Sequence, residues 1–394
     1  MKEENRRYAE EAFEIVEHAA KKIGSRLPGS DGEKEYAAYM GDKLRSIGIE
    51  PVREEFAVSP RASIGGIPYA GYLGLIMSAL VYVALHLSAV WYGMALASVV
   101  CWVWLILSVF LYKTWFDMFF KQEISQNTYG ELLPPDGKYD YTIILSGHTD
   151  TSWCWRHSAH ASKFKKTKPA MGLVATFAKV GFGVICFLFL TAVSIAMTVI
   201  SSGVYFGEVW ALKIANSASF ANFLFAMHFL PVVTAIGCMF VVMWADPNPR
   251  NASRGAMDNA TGCALSFAVT KYFHDHPEKM PKNCRIIDFN CGSEEAGLRG
   301  SIAFTREHKG EPILENTWNI NIDSVADKDF FEVVIKDDWQ FCRFDTDLEK
   351  MFKDTFNELG IVSKTNGCIH NPVGGCDSTP MTKAGMKSVT FAAQ

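Results

Sequence analysis

Four short strings of histidine and acidic residues recur along this chain, and they contain the residue types that bind divalent metal ions. The strings are His148-Thr149-Asp150, Asp258-Asn259, Glu294-Glu295 and Asp323. Imidazole and carboxylate groups are zinc ligands, and metal-assisted hydrolysis also needs a carboxylate that accepts a proton from the attacking water. Together the four strings could supply both the ligands and the base.

Each string has a plain structural explanation as well. Asp258 stands just before an apolar-periodic helix, where an aspartate often serves only as the N-cap. Asp150 could hold the second ring nitrogen of a metal-bound His148, but a histidine followed two residues later by an acid is a common pattern. Adjacent glutamates are often solvated charge, and Asp323 could cap a turn at the end of a strand. The joint pattern is therefore more informative than any one string.

The elements that must position these residues follow an alternating strand and helix pattern. Strands are predicted at residues 49–56, 124–131, 141–145, 285–290 and 318–322, and a helix at 260–273. In open α/β sheets, polar residues at strand ends gather along the carboxyl edge. The pattern therefore predicts an α/β fold in which the candidate ligands meet at one edge of the sheet.

Two nearly uncharged blocks, residues 66–112 and 172–245, interrupt this pattern. They contain four apolar runs, at residues 69–88, 91–111, 173–200 and 223–244, and each run reaches the roughly 20 residues needed to cross a bilayer. The alternative is that the runs are buried helices of a soluble protein. We predict two transmembrane hairpins, at 68–113 and 172–245, inserted into a discontinuous enzyme domain formed by residues 1–67, 114–171 and 246–394.

The motifs GHTD, GAMDNATG, SEEAGLRGS, NIDS and GGCDSTP occur in this order, and the set resembles the co-catalytic zinc metallopeptidases of the aminopeptidase and glutamate-carboxypeptidase family. The opening residues 23–50 share the resemblance. It implies a mixed, mainly parallel sheet flanked by helices, as in zinc exopeptidases, and a site with two zinc ions. The roles it implies are His148 on one zinc, Asp258 bridging both, Glu295 and Asp323 each completing one side, Glu294 as the base, and Asp150 orienting His148.

The chain departs from the family pattern near Gln394. In the family the last ligand is a histidine that follows the segment matching GGCDSTP, and no histidine follows that segment here. We expect this ligand beyond Gln394, with His370 as the nearest alternative within the chain. His157 and His160 could line the cleft, although a solvated loop is the simpler interpretation.

Composition and charge bear on partners and location. A net charge of −4 argues against a nucleic-acid-binding protein, which needs a strongly basic face. The ten cysteines show no disulfide-scaffold spacing, and no cleavable signal peptide is recognised, so we expect a reducing compartment. Cationic residues flank the apolar runs on the side of the enzyme domain, whereas the loops on the opposite side of the membrane contain one cationic residue, Lys213. The positive-inside rule therefore predicts that the enzyme domain is cytoplasmic. The flanking cationic residues are Lys113, Lys121, Lys163, Lys165, Lys166, Lys168, Arg250 and Arg254.

The resulting hypothesis is a multi-pass membrane zinc exopeptidase, best described as an aminopeptidase, whose partners are peptide substrates and the lipid bilayer. Three alternatives remain open at this point. The protein could be an inactive peptidase-like receptor or scaffold, a permease or sensor with a soluble appendage, or a single-zinc enzyme of the glutaminyl cyclase kind.

Overall fold

The computed structural model describes residues 3–154, 169–245, 253–361, 368–371 and 374–393. The chain folds into two compact units, each built from separate stretches of sequence. Unit 1 comprises Met1–Ile64, Ser108–Trp153 and Asn248–Gln394, and unit 2 comprises Gly65–Leu107 and Cys154–Pro247. The chain of unit 1 is thus interrupted twice by the chain of unit 2.

Nine strands are described, all in unit 1, and they form one sheet. They are β1 (Val52–Val58), β2 (Glu123–Leu132), β3 (Tyr141–His148), β4 (Cys284–Cys291), β5 (Thr317–Val325), β6 (Phe331–Asp337), β7 (Cys342–Arg343), β8 (Cys368–Asn371) and β9 (Lys387–Ala393).

Twelve α-helices are described. They are α1 (Glu3–His18), α2 (Asp31–Ser46), α3 (Ile67–Ala84), α4 (Ala89–Trp104), α5 (Pro169–Tyr205), α6 (Val209–Ala215), α7 (Ala218–Ala226), α8 (Leu230–Val242), α9 (Thr261–Asp275), α10 (Arg299–Glu307), α11 (Thr346–Glu358) and α12 (Ser378–Lys383).

The sheet is mixed, with a parallel centre and antiparallel edges. The strand order is β1-β2-β4-β3-β5-β9-β6-β7, and β8 pairs with β6. Strands β4, β3, β5 and β9 run parallel, whereas the pairs β1-β2, β2-β4 and β6-β9 are antiparallel. The fold class predicted from the sequence, a mixed sheet flanked by helices with a parallel core, is confirmed.

Helices cover both faces of this sheet. Every residue of β4 is buried, and its alternate residues point to opposite faces. Ile286 packs near Phe273 of α9, while Ile287 packs in a second cluster with Phe304 of α10. A strand covered on both faces shows no one-sided alternation, and β4 is buried along its whole length although it contains Arg285, Asp288 and Asn290.

Unit 2 consists of apolar helices that pack closely through small residues. A Cβ on Gly74 of α3 would lie 2.4 Å from the sulfur of Cys238 on α8, and one on Gly183 of α5 would lie 2.5 Å from the carbonyl oxygen of Gly237. Ser78 and Thr234 share a buried hydrogen bond of 2.9 Å between α3 and α8. Small residues and interhelical hydroxyl bonds are typical of helix contacts in membranes.

Three helical stretches of the described chain are long and apolar enough to span a membrane, namely Ile64–Ala84, Ala89–Phe110 and Phe177–Tyr205. At residues 223–244, where a fourth single span is predicted, the structure does not have one continuous helix. These residues fall on α7 and α8, which are bent by 48° at a short break. Pro231 lies in the first turn of α8, where its missing N–H and fixed φ favour a new helix start. The pair counts as a span only if the bent helices cross together.

Candidate metal centre

The parallel register of the central strands brings the candidate ligands to one edge of the sheet. His148 is the last residue of β3 and pairs with Cys291, the last residue of β4. Ser146 on β3 pairs with Asn321 on β5, two residues before Asp323. Since the three strands run in the same direction, the histidine, the loop after β4 and the aspartate of β5 share the carboxyl edge.

Two glycines let the ligand-bearing segments approach one another. A Cβ on Gly147 would lie 2.6 Å from the backbone nitrogen of Cys263 in α9, and a Cβ on Gly262 would lie 2.1 Å from the carbonyl oxygen of Ile322. These neighbours are backbone atoms, which cannot rotate away as a side chain can. Close contact at both glycines is therefore what brings β3, the start of α9 and the end of β5 together.

Asn259 fixes the aspartate beside it against β5. Its Nδ2 donates to the carbonyl oxygen of Ile322 at 2.9 Å, and its Oδ1 accepts from the backbone N–H of Ser324 at 3.3 Å. The Asp258–Asn259 peptide bond is cis. Because Asn259 bonds on either side of Asp323, Asp258 and Asp323 keep a defined separation.

His148, Asp258 and Asp323 form a group whose ligand atoms lie within 4.8 Å of one another. The Nε2 of His148 is 3.0 Å from Oδ1 of Asp258 and 3.8 Å from Oδ1 of Asp323. The His148 side chain is 1% exposed, whereas that of Asp258 is 41% exposed. The group therefore lies at the foot of an opening on the Asp258 side.

Asp150 lies behind the histidine and reaches the glutamate loop as well. Its Oδ1 is 3.2 Å from Nδ1 of His148, on the opposite side of the ring from Asp258. Its Oδ1 and Oδ2 accept backbone hydrogen bonds from Glu294 and Glu295, each at 2.9 Å. One fully buried carboxylate thus contacts the ligand imidazole and both glutamates' main chain.

Glu294 and Glu295 follow β4 and keep part of their surface open to solvent. Burial raises the pKa of Glu294 well above its usual value, and Glu295 and Asp377 add to the rise while His148 opposes it. Burial also raises the pKa of Glu295, with Asp258 adding to it. Within the described residues, Glu295 lies outside the group formed by His148, Asp258 and Asp323.

The site concentrates negative charge around a single imidazole. Burial by itself would lower the pKa of His148, but the nearby carboxylates of Asp150, Asp258 and Asp323 raise it well above its usual value. Burial raises the pKa of Asp377 to about 6. One imidazole among carboxylates that disfavour each other's ionisation is a donor set that suits divalent cations, and zinc takes nitrogen and oxygen ligands of this kind.

Comparison with known protein families finds a match in the last part of the chain. Residues 239–394 match the family model of peptidase family M28. The matched segment includes Asp258, Glu294, Glu295 and Asp323, whereas His148 and Asp150 lie before it. No curated protein sequence matches the chain significantly.

Solved structures that match this chain share little sequence with it. BSAP, a zinc aminopeptidase from Bacillus subtilis, is 12% identical with a TM-score of 0.49, over 98% of this chain and 85% of that one. An aminopeptidase from Aneurinibacillus sp. strain AM-1 is 11% identical with a TM-score of 0.49, over 99% and 86%. A glutaminyl cyclase from an Acidobacteriales bacterium is 12% identical with a TM-score of 0.46, over 97% and 78%.

Several residues near the candidate metal site were not singled out from the sequence. The ring of Tyr112 packs against two glycines. A Cβ on Gly297 would lie 3.0 Å from the ring, and a Cβ on Gly375 would lie 2.6 Å from it. Burial raises the pKa of Tyr112 well above its usual value, and the carboxylate of Glu294 adds to the rise. Tyr112 directly follows an apolar run, so no sequence pattern connects it with the ligands.

Asp377 was quoted within a motif but was given no role. It is buried, and its Oδ1 accepts from Ser301 Oγ at 2.6 Å. His370 lies in β8, where its backbone pairs with Lys336 of β6, and its side chain lies outside the described residues, as do His157 and His160.

Proposed function

We propose that this protein is a membrane-anchored, zinc-dependent aminopeptidase. The observation that carries the proposal is the convergence of His148, Asp258 and Asp323, whose ligand atoms lie within 4.8 Å of one another beside two glutamates. The match to peptidase family M28 supports the hydrolase assignment.

The proposed metal set uses the residues that meet at the sheet edge. His148 and Asp323 would hold one zinc, Glu295 would hold the other, and Asp258 would bridge them, as the family resemblance implies. When bound, zinc supplies positive charge that polarises a peptide carbonyl and lowers the pKa of water. Asp150 would keep the His148 ring oriented, because it lies 3.2 Å from the nitrogen that faces away from Asp258.

Glu294 is the proposed general base. Its backbone is held by Asp150, while its carboxylate is a ligand neither in the group of three nor in the proposed second set. A carboxylate whose pKa lies above its usual value is a stronger base, so it can accept a proton from water and return it to the departing amine. The raised pKa of Glu294 is in the direction that this proton transfer requires.

The charge of the site favours substrates with a free amino terminus. Two zinc ions would neutralise four of the six carboxylate charges, and two negative charges would remain, because a metal-bound His148 is neutral. A negative cleft attracts a protonated amine and disfavours a free carboxylate terminus. The carboxylates are Asp150, Asp258, Glu294, Glu295, Asp323 and Asp377.

The apolar helices are proposed to anchor the enzyme in a bilayer. Large apolar side chains of unit 2 are exposed, including Ile76 at 56%, Leu96 at 68%, Ile185 at 64% and Val232 at 58%. Such a surface is unfavourable in water and is normal when lipid covers it. The lysines that flank the apolar runs place the peptidase domain on the cytoplasmic side in this proposal.

Cysteine labelling of intact cells tests the orientation. An engineered cysteine at Lys165 should be protected from a membrane-impermeant maleimide, and one at Glu208 should react. Reaction at Lys165 with protection at Glu208 would put the peptidase domain outside the cell.

Assays of the purified full chain with zinc test the catalytic proposal. We expect cleavage of an aminoacyl anilide and none of its N-acetylated form. Glu294→Gln should retain zinc and lose about 100-fold or more in turnover, as expected for loss of a general base. Cyclisation of an N-terminal glutamine without hydrolysis would replace the peptidase proposal, and zinc binding without turnover of either substrate would favour an inactive receptor.

A further inference from the structure

Arg26 is a fully buried arginine whose guanidinium bonds only to main-chain carbonyl oxygens among the described residues. Its Nε donates to Thr149 at 2.7 Å, its Nη1 to Arg254 at 2.8 Å and its Nη2 to Gly255 at 2.8 Å. The guanidinium carbon also lies 4.8 Å from the centre of the Tyr36 ring. A buried charge without a carboxylate partner is unusual, so these carbonyl contacts need an explanation.

The carbonyl groups of Thr149, Arg254 and Gly255 belong to two different ligand segments, and Nη1 also donates to Gly24 O at 3.2 Å and to Ala19 O at 3.5 Å, both before Arg26 in the chain. Thr149 stands between His148 and Asp150, and Gly255 precedes Asp258 in the turn that leads to α9. The main chain strengthens the first connection, because Thr151 N donates to Arg26 O at 3.0 Å. One planar side chain therefore spans from the end of β3 to the Asp258 turn.

Glu33 makes the corresponding connection to the third ligand segment. Its Oε1 accepts from the backbone N–H of Ser293 at 2.6 Å and from Ser293 Oγ at 2.9 Å. Its Oε2 accepts from Gly29 N at 2.6 Å. Ser293 immediately precedes Glu294 and has a positive φ of 53°, so the side chain of Glu33 holds the main chain at the point where it turns into the glutamate pair.

We propose that Arg26 and Glu33 are positioning residues that set the distances between the three metal-ligand segments. This inference rests on the proposed function only in taking these segments as the metal site. Both residues lie on the short stretch from the turn before α2 into its first turn, outside the segment matched by the family model. Partners that orient metal ligands change metal affinity by about 10–100-fold when they are replaced.

The chemistry of the guanidinium explains why arginine is needed. Its N–H groups point in fixed directions within one plane, so it can donate to two separate main-chain segments at once. A lysine ammonium is a point donor on a flexible stem and cannot bridge both carbonyls in the same geometry. Arg26→Lys therefore keeps the charge while removing the bridge.

Arg285 offers a matched control. It is 6% exposed, its Nε donates to Thr142 Oγ1 at 3.1 Å, and its Nη1 bonds to Glu131 at 3.3 Å. It lies near the start of β4, at the opposite end of the strand from the ligand segments. Arg285→Lys removes comparable buried bonds without touching those segments.

The experiment measures zinc affinity by chelator competition, together with Tm, kcat and KM, on the full chain in detergent. Arg26→Lys should weaken zinc affinity about 10–100-fold and lower kcat with little change in KM. Arg285→Lys should lower Tm while keeping zinc affinity within about twofold. Equal zinc affinity in both variants, with only Tm lowered, would overturn the inference and leave Arg26 a purely structural residue.

Glu33→Gln provides a second variant if Arg26→Lys fails to fold. It keeps one acceptor but turns an amide donor towards either Ser293 or Gly29, so zinc affinity should again fall. Unchanged affinity in this variant contradicts the inference. Zinc binding needs no substrate, so an unaltered protein that binds zinc but cleaves no peptide would overturn the proposed function alone. An unaltered protein that binds no zinc would overturn both.

Discussion

The backbone N–H of Glu294 donates to Oδ1 of Asp150 at 2.9 Å. The same oxygen lies 3.2 Å from Nδ1 of His148, and the other carboxylate oxygen accepts from Glu295. The carboxylate of Asp150 therefore contacts Glu294, the proposed base, as well as Glu295 and His148, which are proposed ligands. A displacement of Asp150 would move all three together.

Asp150→Asn should weaken zinc binding and lower turnover. The Asp150 carboxylate accepts hydrogen bonds from two backbone N–H groups. An asparagine amide has one acceptor oxygen, so its NH2 group must face one of these two N–H groups and leave it without an acceptor. An unsatisfied buried donor costs about 1–3 kcal/mol, and we expect Tm and zinc affinity to fall accordingly. Chelator competition and thermal unfolding measure both quantities.

Asp337→Asn is the matched control for that substitution. Asp337 is buried and accepts hydrogen bonds from Thr379 at 2.7 Å and Gln340 at 2.9 Å, but it does not contact His148 in the structure. Its substitution should lower Tm without a comparable loss of zinc affinity. If both variants lose zinc equally, the special position of Asp150 is wrong.

Removal of zinc should destabilise the protein. Without a cation, the carboxylates around His148 disfavour one another's ionised forms, whereas zinc binding to the folded chain alone adds about 2.7 kcal/mol at 100 times its Kd. We expect a chelator to lower Tm and added zinc to restore it. His148→Ala should remove most of this response, and a zinc-dependent Tm that survives in this variant would place the metal elsewhere.

A matched pair of glycines on α5 tests the packing of the apolar helices. Gly183→Ala would put a Cβ 2.5 Å from the carbonyl oxygen of Gly237, whereas a Cβ on Gly181 meets nothing within 4 Å. Overpacking of this kind costs about 1–3 kcal/mol. Thermal unfolding in detergent should show a lower Tm for Gly183→Ala and no decrease for Gly181→Ala. Equal Tm values would mean that α5 and α8 do not pack this closely.

The difference in stability between Asp288→Asn and the wild type should depend on pH. Burial raises the pKa of Asp288 from 3.8 to about 7, partly offset by hydrogen bonds from Ser266 and Asn290. Between these values the folded protein holds a proton that the unfolded chain has released, so the wild type loses stability as pH rises to about 7. The amide does not ionise and escapes this loss.

Relative to the wild type, the free energy of unfolding of the variant should therefore rise by on the order of 2 kcal/mol between pH 5 and 7. Above that range the difference between the two proteins should stay constant. Unfolding measured at several pH values checks this. A difference between the two proteins that is the same at pH 5 and pH 8 would show that Asp288 does not titrate as the burial implies.

Much of the fold could be predicted because its signals are local. The strand predicted at 285–290 is Cys284–Cys291, and the helix predicted at 260–273 is Thr261–Asp275. Apolar runs of this length, bounded by turn residues, fix the element type with little help from the rest of the chain. His148 and Asp323 could be proposed as ligands for the same reason, since each stands at or near the end of such a strand.

Other features depend on contacts that leave no mark in the sequence. Pro231 could have indicated the bend between α7 and α8, but an uninterrupted apolar run concealed the break. The sequence alone gives Arg26 the appearance of an ordinary surface residue. A guanidinium that bonds to main-chain carbonyl oxygens needs no acidic partner, so no acidic residue at a fixed spacing indicates its role. Tyr112 reaches the site only because Gly297 and Gly375 leave room for its ring.

The two interruptions of unit 1 also set the order in which the site can be made. Arg26 and Glu33 precede the first apolar segment, His148 lies between the two segments, and Asp258 follows the second. During synthesis on the ribosome, strand β1 must wait for its partner β2 until the first segment has emerged, and the ligand set stays incomplete until the second has emerged. A nascent chain therefore cannot hold the complete site before its apolar helices exist, so the proposed peptidase activity would be withheld until the part proposed to anchor the protein has been made.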